Sequence, residues 1–306
     1  MKKYFITLVI LLLSLNFVSA EKTILIDKYH DTDNWWGDPQ GTGRVLFQEL
    51  SSIGFKYKIS TTPFSDDSLR GVDIVLLWNI NNPLENDEIT ALTKFVEKGG
   101  GILILASHEH DIIEATRISV NALLEPFGIR VMKNWVDDTI KSGGCCGTIT
   151  AQNFVSHPTT ESINAIVLYR PGSLEIKRNA IAVVRGSEYN FALGSEPLEG
   201  GDVVIAAVSE SGAGKVAVVG GHFIFDNGKI RELDNNQFAK NLFRWLGDNF
   251  KETVPSQNEP PSQSSPQVNT TPDETFLSWA LYLSPFAILL AVYILYLKKK
   301  NTGKNI

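Results

Sequence analysis

The sequence predicts an α/β domain of the three-layer sandwich class, with helices on both faces of a mainly parallel sheet. Short apolar runs that suit buried strands alternate along the chain with segments of helical periodicity, and this alternation is typical of parallel sheets. Residues 21–250 are also numerous enough to bury one large core, and we find no internal linker in their sequence that would divide them.

The first half of this region contains most of the predicted parallel strands and their helices. The predicted strands are Thr23 to Ile26, Phe55 to Ile59, Ile74 to Trp78, Ile102 to Ala106 and Ile129 to Val131. Helices are predicted from about Arg44 to Ile53, after Asn82-Pro83 as far as Gly99-Gly100-Gly101, and in a segment that ends near Leu124. In the second helix Ile89, Leu92, Phe95 and Val96 recur at three- and four-residue spacings, which puts them on one face.

The second half of this region has a different pattern, in which short predicted strands are separated by turn residues. The short segments Ala165 to Leu168, Leu174 to Ile176 and Ile181 to Val184 predict a small β-rich excursion. Val203 to Val208 and Lys215 to Val219 predict a hairpin around Gly212 and Gly214. A helix from about Asn235 to Leu246 closes the domain, and the whole order predicts a flavodoxin-like sheet with this excursion added.

The N-terminal segment, residues 1–20, has the pattern of a signal peptide. Lys2 and Lys3 precede an apolar run from Phe5 to Val18, and the small residues Ser19 and Ala20 suit a cleavage site before Glu21. An uncleaved anchor is the alternative, but the apolar run is short for a membrane span. We therefore expect the mature chain to begin at Glu21.

The C-terminal segment predicts one transmembrane helix at residues 276–297. No charged residue occurs from Phe276 to Leu297, and about 20 apolar residues in a helix cross a hydrocarbon core of about 30 Å. The lysines of the basic tail, residues 298–306, follow this span, so the positive-inside rule places the tail in the cytoplasm. The predicted location is the cell membrane, with a single pass and the N-terminal domain outside.

Residues 251–275 join these two parts and predict a disordered stalk. Their Pro, Ser, Gln and Thr residues leave too little apolar surface to offset the entropy of ordering the chain. Asn269-Thr270-Thr271 is a glycosylation sequon, which makes Asn269 a candidate acceptor.

Six segments of the globular region match one known family in sequence. They are Asp73 to Leu77, Asn82 to Glu88, Phe95 to Ile104, Leu124 to Ile129, His157 to Thr160, and Asn235-Asn236 with Asn241 to Leu246. Together they resemble class I glutamine amidotransferase-like domains of gliding-type ABC-transporter auxiliary subunits, intraflagellar-transport proteins and uncharacterised prokaryotic membrane-anchored proteins. The resemblance implies the fold, and it implies little about activity because those relatives are largely non-catalytic or unassigned.

The sequence departs from this family at the position of its catalytic nucleophile. Amidotransferases of this fold carry a nucleophilic cysteine in a Gly-x-Cys-x-Gly elbow after the strand that corresponds to Ile102 to Ala106. This sequence instead has Leu105-Ala106-Ser107-His108-Glu109 there, so a Leu and a Glu stand where the glycines belong. We therefore predict no catalytic residue of the amidotransferase type.

Polar residues cluster after several predicted strands, where parallel α/β sheets bind ligands. The candidate ligand-binding residues are His30, Asp31, Trp35, Trp36, Ser107, His108, Glu109, His222 and Asp226. His108 and His110 alternate along the chain, and with His30 or His222 they could supply the three nitrogens of a zinc site. A metal-free ligand cleft and ordinary loop hydrogen bonding are the alternatives, and we expect no cofactor unless this divalent metal is present.

The loop before the first helix holds two adjacent tryptophans, Trp35 and Trp36. They could stack on a sugar or a partner, or they could plug the rim of the sheet, and the sequence favours neither alternative. Glycines at a helix start can hold anions, but for Thr42 and Gly43 an ordinary helix cap is favoured.

Cys145 and Cys146 are the two cysteines of the chain and are adjacent. A bond between neighbours is strained, because consecutive Cα atoms lie about 3.8 Å apart while most disulfides span about 4.4–6.8 Å. Two free or buried thiols, a redox-active vicinal disulfide, and metal or intermolecular pairing all remain open.

The overall charge balance excludes nucleic acid as an expected partner. The net charge of −6 is spread without a basic stripe. The sequence therefore predicts a non-catalytic binding or scaffolding domain held in the membrane, with a protein partner or a small ligand in the envelope. One alternative is an extracellular hydrolase that acts on carbohydrate or amide through the strand-end histidines. Another is a purely structural protein whose sheet edge docks to a membrane partner.

Overall fold

The predicted alternation of strands and helices is present in the folded chain. The computed structural model describes residues 21–31, 36–106, 108, 112–138 and 147–248, all within one compact unit. The predicted signal peptide, stalk, transmembrane helix and tail lie outside the described residues, as do Trp35, Ser107, Glu109, His110, Cys145, Cys146 and Asn269. Among the described residues, no helix combines the length and apolar character that a membrane span requires.

The described residues form fifteen strands. In chain order these are β1 (Lys22–Asp27), β2 (Phe55–Ser60), β3 (Ile74–Trp78), β4 (Gly101–Leu105), β5 (Ile129–Val131), β6 (Asn134–Asp138), β7 (Thr148–Ala151), β8 (Asn153–Phe154), β9 (Ile166–Tyr169), β10 (Leu174–Ile176), β11 (Ile181–Arg185), β12 (Asn190–Gly194), β13 (Leu198–Glu199), β14 (Val204–Ser211) and β15 (Gly214–Val219). The four α-helices of the same residues are α1 (Arg44–Ser51), α2 (Asn86–Glu97), α3 (Glu114–Leu124) and α4 (Asn235–Gly247).

The central sheet has the strand order β2-β1-β3-β4-β15-β14-β10-β5. The pairs from β2 to β15 are parallel, and β15 pairs with β14 in the antiparallel direction. The parallel part has the flavodoxin-like order, in which a fifth strand follows the fourth. Here that fifth position is occupied by β15, which comes from a much later part of the sequence than β4.

Helices cover both faces of this sheet, as the three-layer prediction requires. Along β1, Ile24 and Ile26 pack in the cluster that contains α1 and α4, whereas Leu25 packs in the cluster with α2 and α3. The alternation arises because successive side chains of a strand point to opposite faces. Strand β3 is buried along its whole length, which explains why its sequence is a continuous apolar run rather than an alternating one.

The β-rich excursion differs from its prediction. Strands β10 and β11, two of its three predicted segments, join the central sheet instead of a separate one. Two small sheets, β13-β12-β6 and β7-β9, form the excursion in the described residues. The reason is that β14 is long enough to pair with β15 on one side and with both β10 and β11 on the other.

The predicted hairpin is confirmed as β14 and β15, which pair from Ala206–Val219 to Ser211–Gly214. Gly212 turns the chain with a φ of 59°, a conformation that glycine adopts without steric cost. Gly214 is constrained differently, since a Cβ there would overlap the carbonyl oxygen of Val96 at the end of α2.

Candidate functional site

The candidate site lies at the carboxyl edge of the parallel strands. Strands β1, β3, β4 and β15 are neighbours in the sheet and end at this edge. His30 follows β1, His108 follows β4 and His222 follows β15, and each is only 1% exposed. The edge includes the point between β1 and β3 where the strand order reverses, which is the usual ligand position in this architecture.

His30 is held by a carboxylate at each ring nitrogen. Its Nδ1 lies 3.0 Å from Oδ2 of Asp27, and its Nε2 lies 3.2 Å from Oε2 of Glu88. Both carboxylates are buried, at 0% and 3% exposure. The ring stacks on Phe64 at 5.6 Å between centroids. Because both nitrogens are engaged, His30 has none to offer a metal ion or a substrate in this arrangement.

The second carboxylate of this clamp also organises the start of α2. Oε1 of Glu88 accepts a hydrogen bond from the backbone N–H of Phe64 at 2.7 Å, and Oε2 accepts one from the N–H of Glu85 at 3.0 Å. A carboxylate that reaches back to the N-cap in this way satisfies an amide that the helix itself leaves open. One side chain thus links three segments: the loop after β1, the loop around Phe64 and helix α2.

The electrostatics of the clamp favour a charged His30. Burial lowers the pKa of its imidazole, but the hydrogen bond to Asp27 and the charges of Asp27 and Glu88 outweigh burial, so the pKa is raised above the usual 6.5. A buried charge is tolerated when it is paired and hydrogen-bonded. The arrangement is therefore a buried ion triad that joins β1 to α2, and it is poorly suited to proton transfer with a substrate.

The loop that carries His30 is also fastened to the loop after β3. The backbone oxygen of His30 accepts hydrogen bonds from the N–H groups of Asn81 and Asn82, at 2.7 Å and 3.0 Å. The adjacent Asn79 has a φ of 52°, a left-handed conformation in which asparagine is enriched. These main-chain bonds join the loop after β1 to the loop after β3 at the point where the strand order reverses.

His222 and Trp36 pack together at the other end of the edge. The Trp36 ring lies 5.4 Å from the ring of His222 and 4.7 Å from that of Phe223, in both cases edge to face. The His222 oxygen accepts a hydrogen bond from Nε1 of Trp78 at 2.8 Å. Trp36 is half-buried against the core, so for this tryptophan the structure favours the plug over the stacking platform.

Two of the three predicted acidic candidates, Asp31 and Asp226, take part in local turns, and the third, Glu109, lies outside the described residues. Oδ2 of Asp31 accepts a hydrogen bond from the N–H of Trp36 at 2.7 Å. Oδ1 of Asp226 accepts from the N–H groups of Gly228 and Lys229 at 2.8 Å and 2.7 Å. Aspartate commonly closes turns of this kind, and each of these bonds fixes the shape of a loop.

The described residues leave a small cavity beside the ends of β3 and β4. This cavity, lined by Asn79, Ala106 and Ile112, among others, holds about 10 Å³, which is at most the space for one water molecule. Across the described part of the chain, no group of three or more His, Cys, Asp or Glu residues is arranged to hold a metal ion. His110 lies outside that part, so the histidine metal set remains a prediction.

Asp27, Phe64 and Glu88 are site residues that sequence reasoning missed. Asp27 directly follows the predicted strand Thr23 to Ile26 and had no predicted role, while Glu88 was placed only in the predicted second helix and at the end of the family-matching segment Asn82 to Glu88. A signal for Glu88 was available, since a residue three positions after an N-cap and able to accept hydrogen bonds forms a capping box with it. Nothing local in the sequence pairs Glu88 with His30, which is 58 residues away.

The fold and this edge define the class of the domain, an α/β sandwich with the flavodoxin-like, glutamine amidotransferase-like fold. The chain is similar to the mmIFT52 N-terminal domain, with a TM-score of 0.62 and 20% identity over 74% of this chain and 98% of that one. It is also similar to a cytoplasmic protein from Salmonella typhimurium, with a TM-score of 0.51 and 14% identity over 74% of this chain and 98% of the other. A ThuA-like protein from Bacteroides uniformis matches with a TM-score of 0.45 and 13% identity, over 76% and 94% of the two chains.

The first two likenesses confirm the fold that the sequence resemblance implies. No protein-family model matches this sequence, and no curated protein does. At identities this low the likeness shows the fold alone. The resemblance to transporter auxiliary subunits stays a prediction.

Proposed function

We propose that this protein is a membrane-anchored, extracytoplasmic binding or scaffolding domain without catalytic activity, an auxiliary part of an envelope or transport complex. The observation that carries the proposal is the His30 clamp. At the point where this architecture usually binds a substrate, the titratable side chain is held by Asp27 and Glu88 and stacked on Phe64. An acid–base catalyst must instead lie within hydrogen-bond reach of the group it serves.

The packing of the neighbouring residues supports the same proposal. Trp36, His222 and Phe223 contact one another, and Asp31 and Asp226 hold loops. These contacts stabilise the rim of the sheet, which suits a domain that presents a rigid surface. The membrane part of the proposal comes from the sequence pattern of residues 1–20 and 276–297.

The membrane part is tested by topology mapping of the full chain. A tag is added after Ile306, the protein is expressed in cells, and intact spheroplasts are treated with protease. We expect the large domain to be digested and a small tagged fragment to remain protected in the membrane fraction. Recovery of the full-length chain in the soluble fraction would overturn the anchoring, and a protected large domain would overturn the orientation.

The non-catalytic part is tested by metal content and turnover on the same purified full chain. The wild type and a His108→Ala variant are prepared with zinc supplied, analysed for bound metal, and assayed on chromogenic amides and glycosides. We expect substoichiometric metal and equal background rates. A stoichiometric metal that the variant loses, or a rate that falls with it, would replace this proposal with the metal-dependent hydrolase.

A further inference from the structure

Strand β2 forms one outer edge of the central sheet and pairs with β1 alone among the described strands. The bonds at its two ends show which way its backbone points. The N–H of Lys22 donates to the oxygen of Gly54, and the N–H of Lys28 donates to the oxygen of Ser60. Since backbone groups alternate along a strand, the N–H and C=O groups of Phe55, Tyr57 and Ile59 point away from β1.

The side chains of β2 divide by chemistry between the two faces of the sheet. Tyr57 and Ile59 share one face and are 39% and 42% exposed, and the Tyr57 ring lies 5.2 Å from that of Phe47 in α1. Lys56 and Lys58 share the other face and are both exposed. The edge therefore presents an apolar strip on one face and two positive charges on the other.

The opposite edge of the same sheet is closed in a way that β2 is not. At β5 the side chain of Asn121 donates to the oxygen of Val131 at 3.0 Å and accepts from its N–H at 2.8 Å. A side chain that occupies the outward groups of an edge strand prevents another strand from pairing there. Among the described residues, neither a backbone nor a side-chain group is hydrogen-bonded to the outward groups of Phe55, Tyr57 and Ile59.

We propose that the β2 edge binds an extended acidic segment of a partner protein by strand addition, with acidic and apolar residues alternating along that segment. The main-chain groups of Phe55, Tyr57 and Ile59 would pair with the added strand, as in other edge-strand complexes. Apolar side chains of the partner cover Tyr57 and Ile59, and its carboxylates pair with the two lysines. Lys56 already attracts a carboxylate, that of Glu21 at 3.5 Å.

The charges on β2 also select against a second copy of this chain as the occupant. Pairing of two β2 strands would bring Lys56 and Lys58 of each copy together, and like charges on facing strands are destabilising. Lysines at a free edge are a common protection against edge-to-edge association. The same two lysines repel a second copy of β2 but form favourable ion pairs with an acidic strand.

This inference deepens the proposed binding function and rests on it, and its test measures the β2 edge alone. The full chain in detergent is titrated into two labelled peptides, EVEVEVE and its basic counterpart KVKVKVK, at low salt. Binding is followed by fluorescence anisotropy. We expect the acidic peptide to bind at least about tenfold tighter than the basic one, because surface charges are least screened at low salt.

Two sets of variants make the expectation specific to the edge. Ile59→Pro removes an outward N–H while it leaves the pairing with β1 intact, since proline is tolerated where an edge N–H faces solvent. We expect it to weaken binding of the acidic peptide about tenfold, whereas the matched Ile59→Ala loses about threefold or less. The double variant Lys56→Glu, Lys58→Glu should reverse the preference to the basic peptide, and thermal unfolding of every variant checks that it folds.

Several results would overturn this proposal. They are equal binding of the two peptides, no binding of either, unchanged binding by a folded Ile59→Pro chain together with no reversal in the charge variant, and a wild-type dimer that Ile59→Pro dissociates. The last result would assign the edge to a second copy of this chain. None of these results alters the metal, turnover or topology measurements, so failure at the edge is distinguishable from failure of the proposed function.

Discussion

Replacement of Glu88 by glutamine tests the role of the buried triad most directly. The substitution keeps the shape of the side chain and removes its charge. Three donors converge on the Glu88 carboxylate: the N–H of Phe64, the N–H of Glu85 and Nε2 of His30. A glutamine offers one acceptor oxygen and points an N–H₂ group at the remaining donors. At least one buried donor therefore loses its acceptor.

The expected cost follows from two effects at this buried position. A buried donor without an acceptor costs about 1–3 kcal/mol, and breaking a buried ion pair by removing one partner costs about 3–5 kcal/mol. The two effects overlap, and His30 can release its proton to relieve part of the second. We therefore expect Glu88→Gln to lower the free energy of unfolding by about 3 kcal/mol, a large share of the roughly 5–15 kcal/mol typical of a folded domain.

The assay is urea unfolding at neutral pH, followed by tryptophan fluorescence, which reports on the buried Trp78. Asp87→Asn is the matched control, because Asp87 is the preceding residue in the same helical turn and is exposed. We expect that control to cost about 0.5 kcal/mol, the scale of one charge at a helix N-terminus. A Glu88→Gln cost below about 1 kcal/mol, or equal costs in both variants, would refute the triad as a stabilising element.

Three further measurements address other parts of the domain. The pKa of His30 in the folded state is raised above 6.5. Its contribution to the free energy of unfolding is therefore complete below about pH 6.5 and is lost as the pH rises through the raised pKa. In urea titrations we expect His30→Gln to destabilise the domain more at about pH 5.5 than at about pH 9. Gly214→Ala should cost about 3 kcal/mol through overlap with the Val96 oxygen, while Gly201→Ala, which has open space around it, should change the unfolding midpoint little. Trp36 is half-buried, so its removal in Trp36→Ala should lower the stability measured by thermal unfolding by about 2 kcal/mol. An unchanged melting temperature would instead favour a role for Trp36 in stacking on a ligand or partner.

The parallel part of the fold could be predicted from sequence because its signals are local. Strand β3 lies between two helical layers and is apolar throughout, so a short window identifies it. The hairpin of β14 and β15 could also be predicted from the local sequence, since Gly212 marks the turn between two apolar runs. The burial of these strands follows from the apolar residues within each segment and depends little on which strand pairs with it.

Pairing between distant segments could not be predicted in the same way. Strand β10 is three residues long and pairs with β14 at one position and with β5 at three, and nothing in three residues specifies either neighbour. The candidate site likewise combines a feature that is local in sequence with a contact between distant segments. The position of His30 at a strand end was predicted, but the carboxylate that engages its Nε2 comes from α2 and was visible only in the folded chain.

The late position of β15 in the sequence constrains how this chain can be made. Until residues 214–219 have emerged, β4 is an outer strand with an entirely apolar sequence after Gly101, because its second neighbour in the sheet does not yet exist. An unpaired apolar edge invites association with other chains. A chain that stops anywhere before β15 would therefore expose an apolar strand edge and be prone to aggregate.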